Sequence, residues 1–337
     1  MSFYKHFIKT MAHRRTKLYL TILLLALLIT WIDLGEFYRV IVTADYTFLG
    51  YATIIILLNR LLMPFKWGLL LRGVGIIVPW WLTIKSYFIS NFMGVFLPPT
   101  IGADAVRTYY ITKQKYRLPD IVASILVERA IGLIVLLLFA GLGCLLFTQH
   151  LEVFEFDLLS ILWVSLSLLV ALVTGLLISL NPRVTGFVTN LLRKPRKTAA
   201  IAKTAAKLEA LFQAYVKFRD AKLHMLIFAL LTCLETMLPI LRSYIVGLAL
   251  GVDLPISYYF AFQPIVILLT RLPISIDGFG INEGLFAYFL GLMGVSMTLG
   301  FSIGLVNHIL FLLVISFGGI LYAFDKQPTV TAKTYNG

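Results

Sequence analysis

The amino-acid sequence predicts an all-α polytopic membrane protein with about eight transmembrane helices, one or two re-entrant hairpins and a candidate internal repeat. Three observations carry this. Of 337 residues, 60% are hydrophobic and 13% charged, with a mean hydropathy of +0.92, whereas a soluble domain holds about 45–50% and about 25%. The apolar residues gather in runs approaching the ~20 needed to cross a hydrocarbon core, and not in the alternating stretches of about 10 expected of barrel strands. The formal charge of +13 sits in short basic segments between those runs, which follows the positive-inside rule and excludes a nucleic-acid-binding face. Cys144 and Cys233 both lie in apolar runs, so neither a disulfide framework nor a thiolate metal site is expected.

In chain order, the clearest spans are 18–32, 48–71, 121–147, 158–180, 223–250, 256–272 and 299–324, with shorter or more polar stretches at 80–97 and 284–297. The first run follows a basic start. Because no small-residue cleavage site precedes the polar segment 33–46, it reads as an uncleaved helix and not as a signal peptide. Lys5, Lys9, Arg14, Arg15 and Lys17, without an acid among them, place the N-terminus in the cytoplasm. Asp33, Glu36 and Asp45, and later Glu152, Glu155 and Asp157, mark outside connections.

Both the loop near Arg72 and residues 99–120, with Arg107, Lys113, Lys115 and Arg117, read as cytoplasmic. Residues 80–97 must then enter and leave on one side, which a re-entrant hairpin satisfies. Asn91, Gly94, Pro98, Pro99 and Gly102 suit such a break, because irregular backbone at membrane depth survives only beside protein or a water-filled cavity. Residues 181–222 hold ten Lys or Arg against Glu209 and Asp220. Their apolar residues recur at helical spacing, predicting one or two amphipathic helices on anionic lipid of the cytoplasmic leaflet, or a long basic connection.

The segment from Leu97-Pro98-Pro99-Thr100 to Asp104 and Arg107 has a counterpart from Leu272-Pro273-Ile274-Ser275 through Asp277, Gly278 and Gly280 to Glu283. Residues 38–147 and 215–324 have similar lengths. Paired Gly/Pro-interrupted segments of this kind point to a transport site, where free backbone N–H groups can face an anion.

Ionisable residues inside apolar runs are costly and normally face a cavity. Here they are Arg60, Lys66, Lys85, Glu128, Arg129, Glu235, Arg242 and Arg271, with His308 expected as a hydrogen-bonded packing residue. Glu128 is expected to meet Arg107 or Arg60, and Glu235 to meet Arg242. The basic surplus suits an anionic head group, to which arginine presents a planar fork of donors. No metal-ligand spacing, nucleophile elbow or phosphate-binding loop occurs in the sequence. No enzyme activity, cofactor or metal is therefore expected.

Ser90 through Asp104 with Arg107, then Ala123 through Gly132 including Glu128-Arg129, then Arg271 through Glu283 together resemble the signatures of the lysyl-phosphatidylglycerol synthetase transmembrane-region family, the flippase-like integral membrane proteins. The resemblance implies one flippase-like domain over 1–324, with the basic segment 181–222 inside it, and a short cytoplasmic tail at 325–337. It also implies a stand-alone unit without the synthetase domain. The implied activity is movement of a polar or anionic lipid between leaflets of the cytoplasmic membrane, whether an aminoacyl-phospholipid or a glycan or polyprenyl-phosphate lipid. The rival readings are a membrane transferase on an isoprenoid lipid and a non-transporting scaffold. Expected partners are the lipid substrate and anionic lipids at the cytoplasmic leaflet; a homo-oligomer is compatible and nucleic acid is not. On this reading Arg107, Arg129 and Lys85 hold phosphate, and Glu128 and Glu283 pair with them or take a proton. Arg60, Pro98, Gly102, Asp104, Glu235, Arg271, Asp277, Gly278 and Gly280 complete the binding set. One departure stands out. The third signature usually reads Pro-Gly-Gly-x-Gly, whereas this chain has Ile276-Asp277-Gly278-Phe279-Gly280.

Overall fold

The structure, a computed structural model, describes residues 30, 33–97, 101–147, 158–193, 198–272 and 274–325. All of the expected span at 18–32 but Thr30, together with Pro98 and the tail beyond residue 325, lies outside them. Within them are α-helices α1 (Leu34–Val42), α2 (Tyr46–Gly73), α3 (Trp80–Phe96), α4 (Ile101–Thr112), α5 (Leu118–Phe147) and α6 (Leu158–Ser179). There follow α7 (Pro182–Arg193), α8 (Ala199–Val216), a 3-10 turn at Lys217–Asp220, α9 (Lys222–Ala249), α10 (Ile256–Thr270), α11 (Ile281–Leu292) and α12 (Met297–Ala323), and no strand occurs among the described residues.

Five of these, α2, α5, α6, α9 and α12, are long and apolar enough to cross a membrane. The chain is a multi-pass membrane protein. The expected span at 256–272 forms α10, which at 15 residues falls short of the ~20 residues of a full crossing. Leu223, Leu230, Leu313 and Trp163 are exposed along the long helices, a belt suited to lipid and costly in water.

The order of elements repeats. Helices α2 to α5 contain 28, 17, 12 and 30 residues, and α9 to α12 contain 28, 15, 12 and 27. The punctuation repeats with them. Gly75 and Gly251 each stand two residues past the first helix of their half, with φ of 80° and 82°. Behind them, the Ile76 and Val252 amides donate to the Leu71 and Gly247 carbonyls at 3.0 and 2.9 Å. This is the closing geometry of a helix end that a left-handed residue permits. Pro79 and Pro255 then precede α3 and α10 in extended conformation, where a missing N–H costs no helical bond. Lys115 and Gly294, at φ 68° and 82°, each precede the fourth helix by three residues.

The halves run in opposite directions. The Asp45 amide, at the start of α2, donates to the Ala249 carbonyl at the end of α9, 2.8 Å away, and Gly73 lies against His224 at the other end of the pair. Within the first half, α3 and α4 form a helical hairpin. Gly94 faces Ala103 across it, and Tyr116 Oη donates to the Ile77 carbonyl at 2.8 Å, so the chain returns to the level at which α3 began. In the second half α10 and α11 double back likewise, with Phe262 in ring contact with Phe286 and Phe289 at 5.3 and 5.5 Å. Because the halves are inverted, the hairpins enter the bundle from opposite ends.

Each hairpin leans on the long helix of the other half, α3 on α12 and α10 on α5. Lipid offers little hydrophobic drive between helices, so their approach depends on close packing at small residues. A Cβ on Gly318 of α12 would run into the Phe88 carbonyl of α3. The basic segment forms α7 and α8, joined by an Arg193–Glu209 pair at 2.6 Å. Lys217 meets Asp120 at the start of α5 at 2.7 Å, and Phe218 is buried beneath. Phe187, Leu191, Ile201 and Leu208 stay exposed.

Candidate functional site

A cavity of about 450 Å³ opens between the halves, bounded by Gly94, Ala103 and Asp104 of the first hairpin and Thr270, Arg271, Asp277 and Asn282 of the second. Its remaining wall comes from α2, α5, α9 and α12, including Arg60, Lys66, Glu128, Arg129, Glu235, Arg242 and His308. Tertiary packing thus gathers charged residues and a histidine from five of the eight repeat helices and from the second tip.

A backbone defect helps to place α2 against α9. Pro239 inside α9 has no N–H for the carbonyl of Glu235, four residues earlier. Asn59 Nδ2 of α2 donates to that carbonyl at 3.0 Å. Asn59 and Glu235 are each the fourteenth residue of their helix, and Lys66 and Arg242 each the twenty-first. The repeat therefore places polar groups at matched positions on both helices.

The carboxylates of the site are engaged. Arg107 reaches Glu128 at 2.8 Å and Asp104 at 3.1 Å, with its guanidinium over the rings of Trp67 and Tyr87 at 4.5 and 4.4 Å. Tyr87 donates to the other oxygen of Glu128 at 2.8 Å. Arg129 binds Asp104 at 2.7 Å. Lys66 pairs with Glu235 and donates to Thr232 at 2.8 Å. In the second half His308 Nδ1 meets Glu283 at 2.8 Å, while Nε2 lies 3.4 Å from Asp277. The other oxygen of Glu283 accepts from the Gly280 amide at 2.6 Å. Arg129 and His308 are each the twelfth residue of their helix, and each holds an acid at its own half's hairpin.

Three cations differ. Among the described residues, no carboxylate lies within 4 Å of Arg60, Arg242 or Arg271. Arg60 donates to Asn59 at 2.6 Å and sits over Phe311, yet the buried Nε atoms of Arg60 and Arg242 have no hydrogen-bond partner.

Of the residues expected from sequence, Arg60, Asp104, Arg107, Glu128, Arg129, Glu235, Arg271 and Asp277 line the cavity. Gly102, Gly278, Gly280 and Glu283 stand behind it: Gly102 is packed on Leu97, Gly278 on Thr270, and Glu283 is fully buried on His308. Three expectations need correction. Lys85 pairs with Asp325 at 2.5 Å, outside the cavity, because it sits near the start of α3, far from the tip. Glu235 meets Lys66, not Arg242, since antiparallel α2 brings the lysine alongside. Arg107 is committed to two carboxylates and two rings, which makes it a brace for the hairpin and not a free phosphate contact. The expected pairing of Glu128 with Arg107 is present.

Tyr87, Gln263 and Asn307 also line the cavity without having been expected from sequence, as does Asn91, which the sequence marked only as part of the break in the first hairpin. Asn307 and Glu128 are each the eleventh residue of their helix, a correspondence that a register-level alignment of the halves could have revealed. Tyr87 and Gln263 correspond in the same way, each the eighth residue of its helix. Among the described residues, no cluster of three or more metal-ligating side chains occurs. Comparison with known proteins gives one family match: the family described as lysylphosphatidylglycerol synthase TM region, over residues 17–319. No curated protein matches the chain.

Proposed function

The chain belongs to the lysylphosphatidylglycerol synthase TM region family, and from that premise we propose that it moves the head group of a polar or anionic lipid between the leaflets of the cytoplasmic membrane, without a chemical step. The observation that carries this reading is the convergence of two oppositely entering hairpins on one polar cavity inside an apolar bundle. On this reading both hairpins are re-entrant. The head group occupies the cavity while the acyl or prenyl tail stays in the hydrocarbon. Inverted repeats exchange roles, so a rocking of one half against the other opens the site first to one face and then to the other.

The charge distribution supports a cytoplasmic assignment for the end carrying Lys113, Lys115 and the basic helices α7 and α8, because Lys217 and Asp120 bring both basic segments to that end. Asp33 and Glu36 of the other end meet the start of α12, with Ser296 Oγ donating to Glu36 at 2.8 Å. Exposed Phe187, Leu191, Ile201 and Leu208 then rest on the anionic inner leaflet.

The test is reconstitution of the full chain into vesicles carrying a fluorescent phospholipid in the inner and outer leaflets, with chemical quenching from outside. Protein-dependent movement is expected, and Arg129→Ala should abolish it while the protein remains folded and extractable. No movement of any anionic or polar lipid would remove the transport reading and favour a scaffold.

A further inference from the structure

The charges in the cavity narrow the head group. Lys66 is matched by Glu235, and Arg107 with Arg129 by Asp104 with Glu128. Asp277 and Glu283 share His308. Arg60, Arg242 and Arg271 are left over. Glu235 and Asp277 act on Arg60 only from beyond ion-pair distance, and Arg242 lies close enough to Arg60 for the two like charges to repel. Crediting both carboxylates on His308 against the three guanidinium groups still leaves one positive charge uncompensated, or two with the imidazole protonated.

Gathering three arginines without matching acids inside a membrane protein costs free energy unless a ligand supplies the counter-charge. We propose that the cavity is selective for a lipid whose head group ends in a phosphate monoester or diphosphate, and selects against phosphodiester and aminoacylated lipids. The inference rests on the lipid-transport reading and names its substrate class. A phosphate monoester carries about −1.5 to −2 charges and three terminal oxygens, one for each guanidinium fork. A phosphodiester has one charge and two free oxygens. An aminoacyl ester adds an ammonium group, and every carboxylate it could meet is already engaged. The unpaired Nε atoms of Arg60 and Arg242 are donors left for such an anion.

The experiment measures thermal stabilisation of the detergent-purified full chain by farnesyl phosphate, farnesyl diphosphate, short-chain phosphatidylglycerol, lysyl-phosphatidylglycerol, inorganic phosphate and inorganic pyrophosphate. Farnesyl phosphate and diphosphate should stabilise at concentrations at least about tenfold below phosphatidylglycerol, with no effect of the lysyl ester. Arg60→Gln, Arg242→Gln and Arg271→Gln should each weaken that binding by on the order of tenfold or more, as expected for loss of a charge-assisted hydrogen bond. Their ligand-free melting temperatures should match or exceed that of the native chain, since each removes an unpaired cation. Phosphatidylglycerol or the lysyl ester binding as tightly as the monoesters would overturn the inference and leave transport standing. Inorganic phosphate or pyrophosphate binding as tightly as its farnesyl ester would also overturn it, by assigning the site to a free anion. No binding of any lipid, together with no movement in vesicles, removes both.

Discussion

At the scale of single residues, Arg107 and Asp277 show how membrane burial turns side chains into fixed parts. Arg107 is 3% exposed and satisfies Glu128 and Asp104 together. Replacing it with methionine leaves Glu128 inside the bundle without its cation and Asp104 held by Arg129 alone, and breaking a buried pair in this way costs roughly 3–5 kcal/mol. Arg107→Met should therefore lower the melting temperature sharply, in contrast to the unpaired arginines. Asp277 stands at φ 51°, in the left-handed region that disfavours a Cβ, and it occupies the second position of the family's Pro-Gly-Gly-x-Gly pattern. The usual glycine there has a physical reason, and aspartate is among the few residues that tolerate the substitution. Asp277→Ala should be less stable than Asp277→Gly by about 1–2 kcal/mol, read as an ordering of melting temperatures.

Asp33 caps α1 outside the spans. The Glu36 and Gly35 amides donate to its carboxylate, which holds its pKa below the ordinary carboxylate value. A depressed folded pKa means that the stabilisation is present above the unfolded value and is lost as pH falls through the folded one. Amide exchange in α1 should accelerate on acidification through the carboxylate range, and Asp33→Asn should blunt that dependence. Exchange that is independent of pH-driven capping, after correction for intrinsic rates, would exclude the cap.

At the scale of elements, the contact between α3 and α12 is the most exposed to a single substitution. Gly318→Leu inserts a side chain where the Phe88 carbonyl already lies, and overpacking of that kind costs about 1–3 kcal/mol. The first hairpin would be pushed off its supporting helix, with lipid movement lost before the fold is. Transport equal to that of the native chain would show that the hairpin does not need this support. Gly186→Leu, where no atom lies within 4 Å of the added Cβ, serves as a control with transport preserved.

For the whole molecule, inversion of the two halves makes a topological prediction. Gln114, exposed after the first hairpin, and Met297, exposed after the second, belong to opposite ends of the bundle. With Cys144 and Cys233 replaced by alanine, Gln114→Cys should react with an impermeant maleimide only from the cytoplasmic face and Met297→Cys only from the outer face. Labelling of both from one face would contradict opposite entry of the hairpins.

Several features were legible in the residues themselves. Apolar runs define the long helices because a membrane admits little else. Loop charge suggests their direction, and Gly278 and Gly280, both at positive φ, mark the break before α11 because few other residues make such turns. For Glu128 the residues narrowed the partner to Arg107 or Arg60, and packing chose Arg107. Ion partners across helices did not follow. Lys66 meets Glu235 and Lys85 meets Asp325 only because antiparallel α2 and α9, and the start of α3 with the end of α12, are brought together by packing between residues more than 160 apart in sequence. Helical periodicity tells which face a residue occupies and not which helix that face will meet. So the sequence determined that charges would be buried near two broken segments. Tertiary structure alone decided which cations found a carboxylate and left Arg60, Arg242 and Arg271 facing the cavity without one.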